Sequence, residues 1–451
     1  MDQLEIIKKR LQDNNITSVR FEQSDMYGIP HCRAIPTRHF EKMALKGINI
    51  SMGFMAFDPR GHIAPNSGYG EEIHYADCLA FPEMDTFQIL PWCTKTAMVL
   101  IEGVHNGGKV PIYPRVVARK QLERLDKFGL SLWSAHEHEF YVVKEDTMKP
   151  LHGYTNATAV IPMVVYEPFF QQILKDLPPT GVNIECYGVE AGKGQIEITY
   201  RPEFGIKAAD TAHTYKIGIK EIALKHGLVA TFMSKPWHDS IGSSAHYCHS
   251  LWDVDGKIAK LFDSGSASGL SEIGQHWVAG LIAHARAIAV LMAPTTNCLR
   301  RFKRNSFAPW NATWGPDNRT CAIRVKTNGD SGTYIENRMG ASGCSPYISM
   351  AATIAAGLDG VINKLPLPEG IDGPGDAYKD EYIPSGTKII PDNMEEAIEA
   401  LLADDAITDA LGPEFIKCFV ACKRHDMKLE KEAISKGTLE EWERDYLFCM
   451  L

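Results

Sequence analysis

Hydrophobic and polar residues alternate along this chain in two rhythms. Over residues 5–15 the apolar Ile6, Ile7 and Leu11 are interleaved with Lys8, Lys9 and Arg10, a spacing that predicts a short amphipathic helix. Ser18-Val19-Arg20-Phe21 and Thr96-Ala97-Met98-Val99-Leu100-Ile101 read as strands, with turn-rich segments such as Phe57-Asp58-Pro59-Arg60-Gly61 between them. Together they predict a small α+β unit, residues 1–108, closing near Gly107-Gly108. Pro114-Arg115 opens a helical pattern through Lys127, with proline in the first turn, where its missing N–H is not needed. A larger unit, residues 109–451, carries strong helical patterns over 210–226, 271–293, 346–363 and 393–403. Residues 265–269 and 369–391 read as loops, and no internal repeat of roughly 20–50 residues is present.

Composition narrows the class. The 451 residues are 45% hydrophobic and 23% charged, as expected of a soluble globular protein of two or three domains. A net charge of −9 argues against nucleic acid as a partner. No window approaches the ~20 apolar residues that a membrane span needs. Met1-Asp2-Gln3-Leu4-Glu5 has no basic segment leading into an apolar one, so the expected location is cytoplasmic. Eleven cysteines are scattered without a CxxC pair, which predicts reduced thiols rather than a disulfide framework.

The chemistry sits on strands. In His136-Glu137-His138-Glu139-Phe140-Tyr141-Val142, residues two apart share a face, so Glu137 and Glu139 project together and Phe140 and Val142 point away. Gln195, Glu197 and Thr199 share a face opposite Ile196 and Ile198, and Glu336 shares one with Arg338. Like charges two apart on a buried face repel unless cations neutralise them, and all-oxygen clusters suit Mg²⁺ or Mn²⁺. Arg301, Arg319, Arg324 and Arg338 form a second group, with Arg319 and Arg324 flanking a strand-like Cys321-Ala322-Ile323. Arginine clamps phosphate and carboxylate bidentately; the bland reading, a salt-bridged surface, suits Arg300 better. Acids for metal and arginines for phosphate suggest phosphoryl chemistry, although no P-loop or kinase motif is present. His246, Cys248 and His249 lack a second Cys/His pair and do not make a structural zinc site.

These residues carry a family resemblance. The chain resembles glutamine synthetases of the bacterial type over nearly its whole length. Glu137-His138-Glu139-Phe140 resembles that family's ExEF strand. Glu190-Ala191-Gly192-Lys193-Gly194-Gln195-Ile196-Glu197 resembles its E-x-x-P-G-Q-x-E segment, with Lys193 at the usual proline. Phe232–Pro236, Gly242–His246, Asn318–Val325, Ile335–Arg338 and Ser345–Tyr347 resemble FMPKP, NGSGMH, NRSAxIRVP, IExR and NPY. The resemblance implies an α+β fold: an N-terminal β-grasp-like domain and a catalytic domain with a curved antiparallel sheet and flanking helices. It implies stacked rings, usually dodecamers, with active sites between subunits. It also implies two or three divalent ions, Mg²⁺ or Mn²⁺, with Glu139, Glu190 and Glu197 holding one and Glu137, His246 and Glu336 another. ATP would phosphorylate the side-chain carboxylate of glutamate, and an amine would displace the phosphate. Arg319 and Arg324 would stabilise the phosphate, Ser250 would contact the nucleotide, and Arg301, Arg338 and Gly242 would serve glutamate. The apolar tail Trp442–Phe448 is expected to dock on a neighbouring subunit.

Several positions depart from the family. Aligning Asn297–Phe302 with NSYxRL places Phe307 where ammonia-using members carry the glutamate that closes the site. The second ammonium-site acid falls at Ser51, the glutamate-contacting asparagine at Ile241, and a family histidine at Cys248. Binding and deprotonating ammonium needs fixed negative charge, which Phe307 does not supply. These departures resemble the branch that glutamylates larger amines. The alternatives are true glutamine synthesis and a catalytically silent structural assembly of the lengsin kind.

Overall fold

The computed structural model describes residues 3–153 and 155–451. Residues 18–109 build a seven-stranded sheet in the order Pro30–Pro36, Ser18–Ser24, Thr96–His105, Asp77–Pro82, Ile48–Ser51, with Gln88–Ile89 and Gly108–Lys109 also pairing to Thr96–His105. Ser18–Ser24 runs parallel to Thr96–His105, and the remaining pairs are antiparallel. The helices Gln3–Asp13 and Thr37–Lys46 cover it. Leu4, Ile7, Leu11 and Phe40 bury their side chains with Val19, Phe21, Val99 and Ile101.

The second sheet has nine strands and is the scaffold of the site. Its order is Trp314–Pro316, Ile323–Lys326, Tyr334–Asn337, Ala245–Asp253, Leu130–Lys144, Gln195–Tyr200, Ile184–Val189. Glu203–Phe204 and Leu228–Thr231 also pair with the fifteen-residue strand Leu130–Lys144. Only Trp314–Pro316 and Ile323–Lys326 pair in parallel among the described strands of this sheet. Phe140 and Val142 bury against Ile196, Ile198, Tyr215 and Phe232, so Glu137 and Glu139 face the opposite side.

Helices close the core. Pro346–Ile362 crosses Glu272–Ala283 at glycines. A Cβ on Gly280 would lie 2.2 Å from the Ala356 carbonyl oxygen, and one on Gly360 would lie 2.1 Å from that of His276. The helical pattern over 271–293 is two helices, Glu272–Ala283 and Ala285–Met292, broken at His284. The His284 ring is held by Asp359 at 2.9 Å and Asp404 at 2.7 Å. The strand beside Arg319 is Ile323–Lys326, so Arg324 lies within it and Arg319 in the loop before it.

Two C-terminal features differ from expectation. The 23-residue helix Pro413–Ser435 was not predicted, because its inner face mixes Phe415, Cys418 and Cys422 with buried Lys423, Asp426 and Glu430. Lys423 pairs with Asp426 at 3.2 Å, and the Tyr27 hydroxyl donates to that carboxylate at 2.8 Å. The expected docking of the tail on a neighbour is corrected: Leu439–Glu443 and the π-helical Arg444–Phe448 fold onto their own chain. Tyr446, Leu447 and Phe448 are at most 3% exposed. Tyr446 donates to Asp426 at 2.7 Å, a partner for its hydroxyl that makes burial within the chain favourable.

Candidate active site

Strand register gathers the acids. Glu137 lies opposite His246 between Leu130–Lys144 and Ala245–Asp253, and Glu139 lies opposite Glu197 on Gln195–Tyr200. Glu336, on Tyr334–Asn337, lies opposite Cys248. His246 Nδ1 is 3.3 Å from Glu137 Oε1 and 3.2 Å from Glu336 Oε1. One donor atom from each of Glu137, His246 and Glu336 lies within 4.8 Å of the others, a set that suits a divalent cation. Burial and Arg338 disfavour a charged His246 ring, but the two carboxylates outweigh them and raise its pKa.

The second acid group is crowded. Glu139 accepts from Ser244 Oγ at 2.7 Å, Ser244 N at 3.0 Å and Gln195 Nε2 at 3.1 Å. Burial, then the carboxylates of Glu137, Glu139 and Glu190, push Glu197 up to about 8. Burial and Glu139 also raise Glu190. Such a group keeps a proton that a cation would displace, so the residues present fit divalent metal.

The arginines converge on the same floor. Arg324 Nη1 bonds Glu336 Oε2 at 2.8 Å, and Arg338 Nη1 bonds Glu336 Oε1. Burial opposes ionisation of Glu336, yet His246, Arg338 and Arg324 hold it well below the usual carboxylate range. Arg338 Nη2 also donates to the Phe307 carbonyl at 2.9 Å. Arg301 is buried, and a Cβ on Gly242 would lie 2.7 Å from its Cγ, so that residue must stay small. Arg300 is spent on ion pairs with Glu430 and Glu443; the pairing was expected, but not its place, since both carboxylates are buried and Arg300 lines a cavity that meets the acid floor rather than a solvated face.

Two cavities meet the acid floor. The larger, about 710 Å³, is lined by Glu139, Glu190, Gly242, His246, Arg301, Arg319, Arg338 and Phe307. The smaller, about 360 Å³, is lined by Glu137, Cys248 and Ser250, together with Trp133, Tyr200 and Tyr334. Ser250 is buried and accepts from Trp252 Nε1 at 2.8 Å. Phe307 stands at the rim, 72% exposed, in a left-handed conformation with φ +54. Ile241 is exposed on the larger cavity too. Ser51 lies elsewhere: it ends the strand Ile48–Ser51, accepts from Gly53 N at 3.3 Å, and lines neither cavity. Sequence reasoning missed Lys235 and Lys303 on the larger cavity, although Lys303 lies only four residues before Phe307.

Residues 111–444 match the family described as "Glutamine synthetase, catalytic domain". The chain belongs to the glutamine synthetase family. Lengsin from Canis lupus familiaris is 32% identical over 447 residues, covering 97% of this chain and 75% of that protein. A glutamate–isopropylamine ligase from a Pseudomonas species is 30% identical over 454 residues, covering 97% of this chain and 98% of that protein. A solved structure titled "GmaS/ADP complex-Conformation 1" superposes with a TM-score of 0.83 at 25% identity, covering 97% of this chain and 98% of the other. In this glutamine synthetase fold the curved sheet carries Glu137, Glu139, Glu197, His246, Glu336 and Arg324, while Glu190, Arg301, Arg319 and Arg338 sit on the turns and loops beside it. No described helix is long and apolar enough to cross a membrane.

Proposed function

We propose that this chain is an ATP-dependent γ-glutamyl ligase that joins glutamate to an apolar or aromatic primary amine rather than to ammonia. The observation that carries the reading is Phe307 at the rim of a cavity whose floor keeps Glu139, Glu190, His246 and four arginine neighbours. Glu137, His246 and Glu336 would hold one divalent ion, and Glu139, Glu190 and Glu197 another. When bound, Mg²⁺ or Mn²⁺ supplies charge that offsets the repulsion between triphosphate and carboxylate. Ser250 would orient the nucleotide in the smaller cavity. Arg319 and Arg324 would bind the transferring phosphoryl group, and Arg301 and Arg338 would hold glutamate, with Gly242 leaving room for the Arg301 stem. Phosphoryl transfer of this kind is mostly positioning and charge stabilisation. The γ-carboxylate oxygen takes the phosphoryl group from ATP. The amine nitrogen then attacks the γ-carbonyl carbon, the carbon–oxygen bond to phosphate breaks, and the proton the nitrogen sheds would leave with the departing phosphate.

Phe307 removes the fixed charge that would trap ammonium and adds apolar surface, worth about 25 cal/mol per Å² covered. An aromatic amine fits both changes, because it is largely neutral near pH 7. The chain would act in the cytoplasm as a ring-based homo-oligomer, expected to be a dodecamer, with Ser51 reaching the site of a neighbouring subunit. Light scattering at micromolar concentration should give a multi-subunit mass, and a monomeric mass would remove the shared-site reading. The test of function is incubation with ATP, Mg²⁺, glutamate and either ammonia or an amine panel, reading phosphate release. Preference for ammonia would restore plain glutamine synthesis.

The similarity to lengsin keeps a second reading in view, a catalytically silent assembly. Against it stands the crowding around Glu197, which costs stability when no cation is bound. Intact Mg·ATP binding without turnover of any amine would favour it.

A further inference from the structure

The larger cavity is lined by six cations: Lys235, Arg300, Arg301, Lys303, Arg319 and Arg338. Most have work. Arg300 is paired with Glu430 and Glu443, Arg338 with Glu336, and Lys235 Nζ donates to the Ser240 carbonyl. The ligase reading gives Arg301 and Arg319 to glutamate and phosphate. Lys303 alone is left over: it is exposed and has no side-chain hydrogen bond or ion pair among the described residues. The next residue makes the contrast, since Arg304 binds Asp380 and the Tyr378 carbonyl and lies 3.9 Å over the Trp310 ring.

The loop that carries Lys303 is fixed in place. Ser306 Oγ donates to the Arg301 carbonyl at 2.9 Å, Arg338 donates to the Phe307 carbonyl at 2.9 Å, and the Tyr378 hydroxyl donates to the Ala308 carbonyl at 3.1 Å. Lys303 and Phe307 are therefore held together at one mouth. Burial and then the nearby Lys303 charge lower the pKa of Lys235, so positive charge is in surplus there. The lining carboxylates, Glu139 and Glu190, belong to the acid floor. A cationic alkylamine approaching this mouth meets like charge. A neutral amine bearing a negative group gains from it.

Resting on the amine-ligase reading, we propose that the acceptor amine carries an anionic substituent on an apolar body, and that Lys303 recognises that anion while Phe307 covers the apolar part. The chemical class is an arylamine or similar weakly basic amine with a carboxylate or equivalent anion a few bonds from the nitrogen.

The test uses a matched pair, 4-aminophenylacetate and 4-methylaniline, in which a methylene insulates the ring from the carboxylate. Product γ-glutamyl amide is measured by mass spectrometry with ATP, Mg²⁺ and glutamate on the full-length assembly. The kcat/KM for the anionic amine should exceed that for the neutral one by about fivefold at low salt, shrinking at high salt, as for a partly exposed charge pair. Lys303→Gln should bring the ratio towards one, and Lys303→Glu should invert it. Turnover of 4-methylaniline with a wild-type ratio of one or below would sink this inference and leave the ligase reading standing. No turnover of any amine would remove both. A ratio unchanged in Lys303→Gln, together with a loss of assembled mass by light scattering, would assign Lys303 to a subunit contact and overturn the proposal.

Discussion

Replacing Glu197 with glutamine in metal-free protein tests the crowded acid floor directly. Burial and three neighbouring carboxylates raise the folded-state pKa from 4.5 to about 8. Below pH 4.5 both folded and unfolded chains carry the proton, and the group contributes no pH-dependent difference. Between pH 4.5 and 8 the unfolded glutamate ionises while the folded one keeps its proton. Folding then takes up a proton, so stability falls as pH rises, by about 1.4 kcal/mol per pH unit. At pH 7 the accumulated loss is about 3 kcal/mol. Glutamine preserves the shape and does not titrate. In EDTA, Glu197→Gln should match wild type near pH 4.5 and exceed it by about 3 kcal/mol at pH 7. With saturating Mn²⁺ the order should reverse, because a cation that binds only the folded wild type stabilises it by mass action. The assay is urea denaturation at pH 4.5, 6 and 7, at fixed protomer concentration, with and without metal. A difference that does not change with pH, or a variant weaker than wild type at pH 7 in EDTA, would refute the reasoning.

Three further outcomes are expected. Arg319→Ala should lower glutamate-dependent phosphate release by roughly 10²–10³ while leaving ATP binding nearly intact, because its contact strengthens as charge moves; an unchanged rate removes it from the machinery. Phe307→Glu should shift the kcat/KM ratio towards ammonia in a competition assay, and a ratio that does not move would detach the rim residue from acceptor choice. Phe448→Ala should destabilise the chain by about 3–5 kcal/mol, since the ring is 2% exposed in its own core; a change seen only in assembled mass would return the tail to a subunit interface.

Much of this site was legible from the sequence because a strand has a side-chain period of two. That period alone puts Glu137 with Glu139 and Glu336 with Arg338, and the structure keeps Phe140 and Val142 on the opposite, buried face. Helices with uniform apolar stripes, such as Pro346–Ile362, were equally readable. The helix Pro413–Ser435 was not, because its stripe includes Lys423, Asp426 and Glu430, which are tolerable inside only once Tyr27, Tyr446 and Thr296 arrive from distant parts of the chain.

Tertiary structure decided the rest. Register between strands far apart in sequence sets Glu139 against Glu197 and Glu137 against His246, and with that crowding the proton affinity of the floor. The ion pairs that engage Arg300 and leave Lys303 unpaired are also tertiary facts, since Glu430 and Glu443 lie more than a hundred residues from Arg300. The apolar tail packs into its own chain's core through Tyr446, Leu447 and Phe448, and Asp426 gives the Tyr446 hydroxyl a buried partner that no local pattern around Tyr446 announces. Sequence by itself determined which residue types line each face, because side-chain direction follows from backbone period. It could not determine which charges remain unpaired, because pairing depends on contacts between segments that only the folded chain brings within a few ångströms.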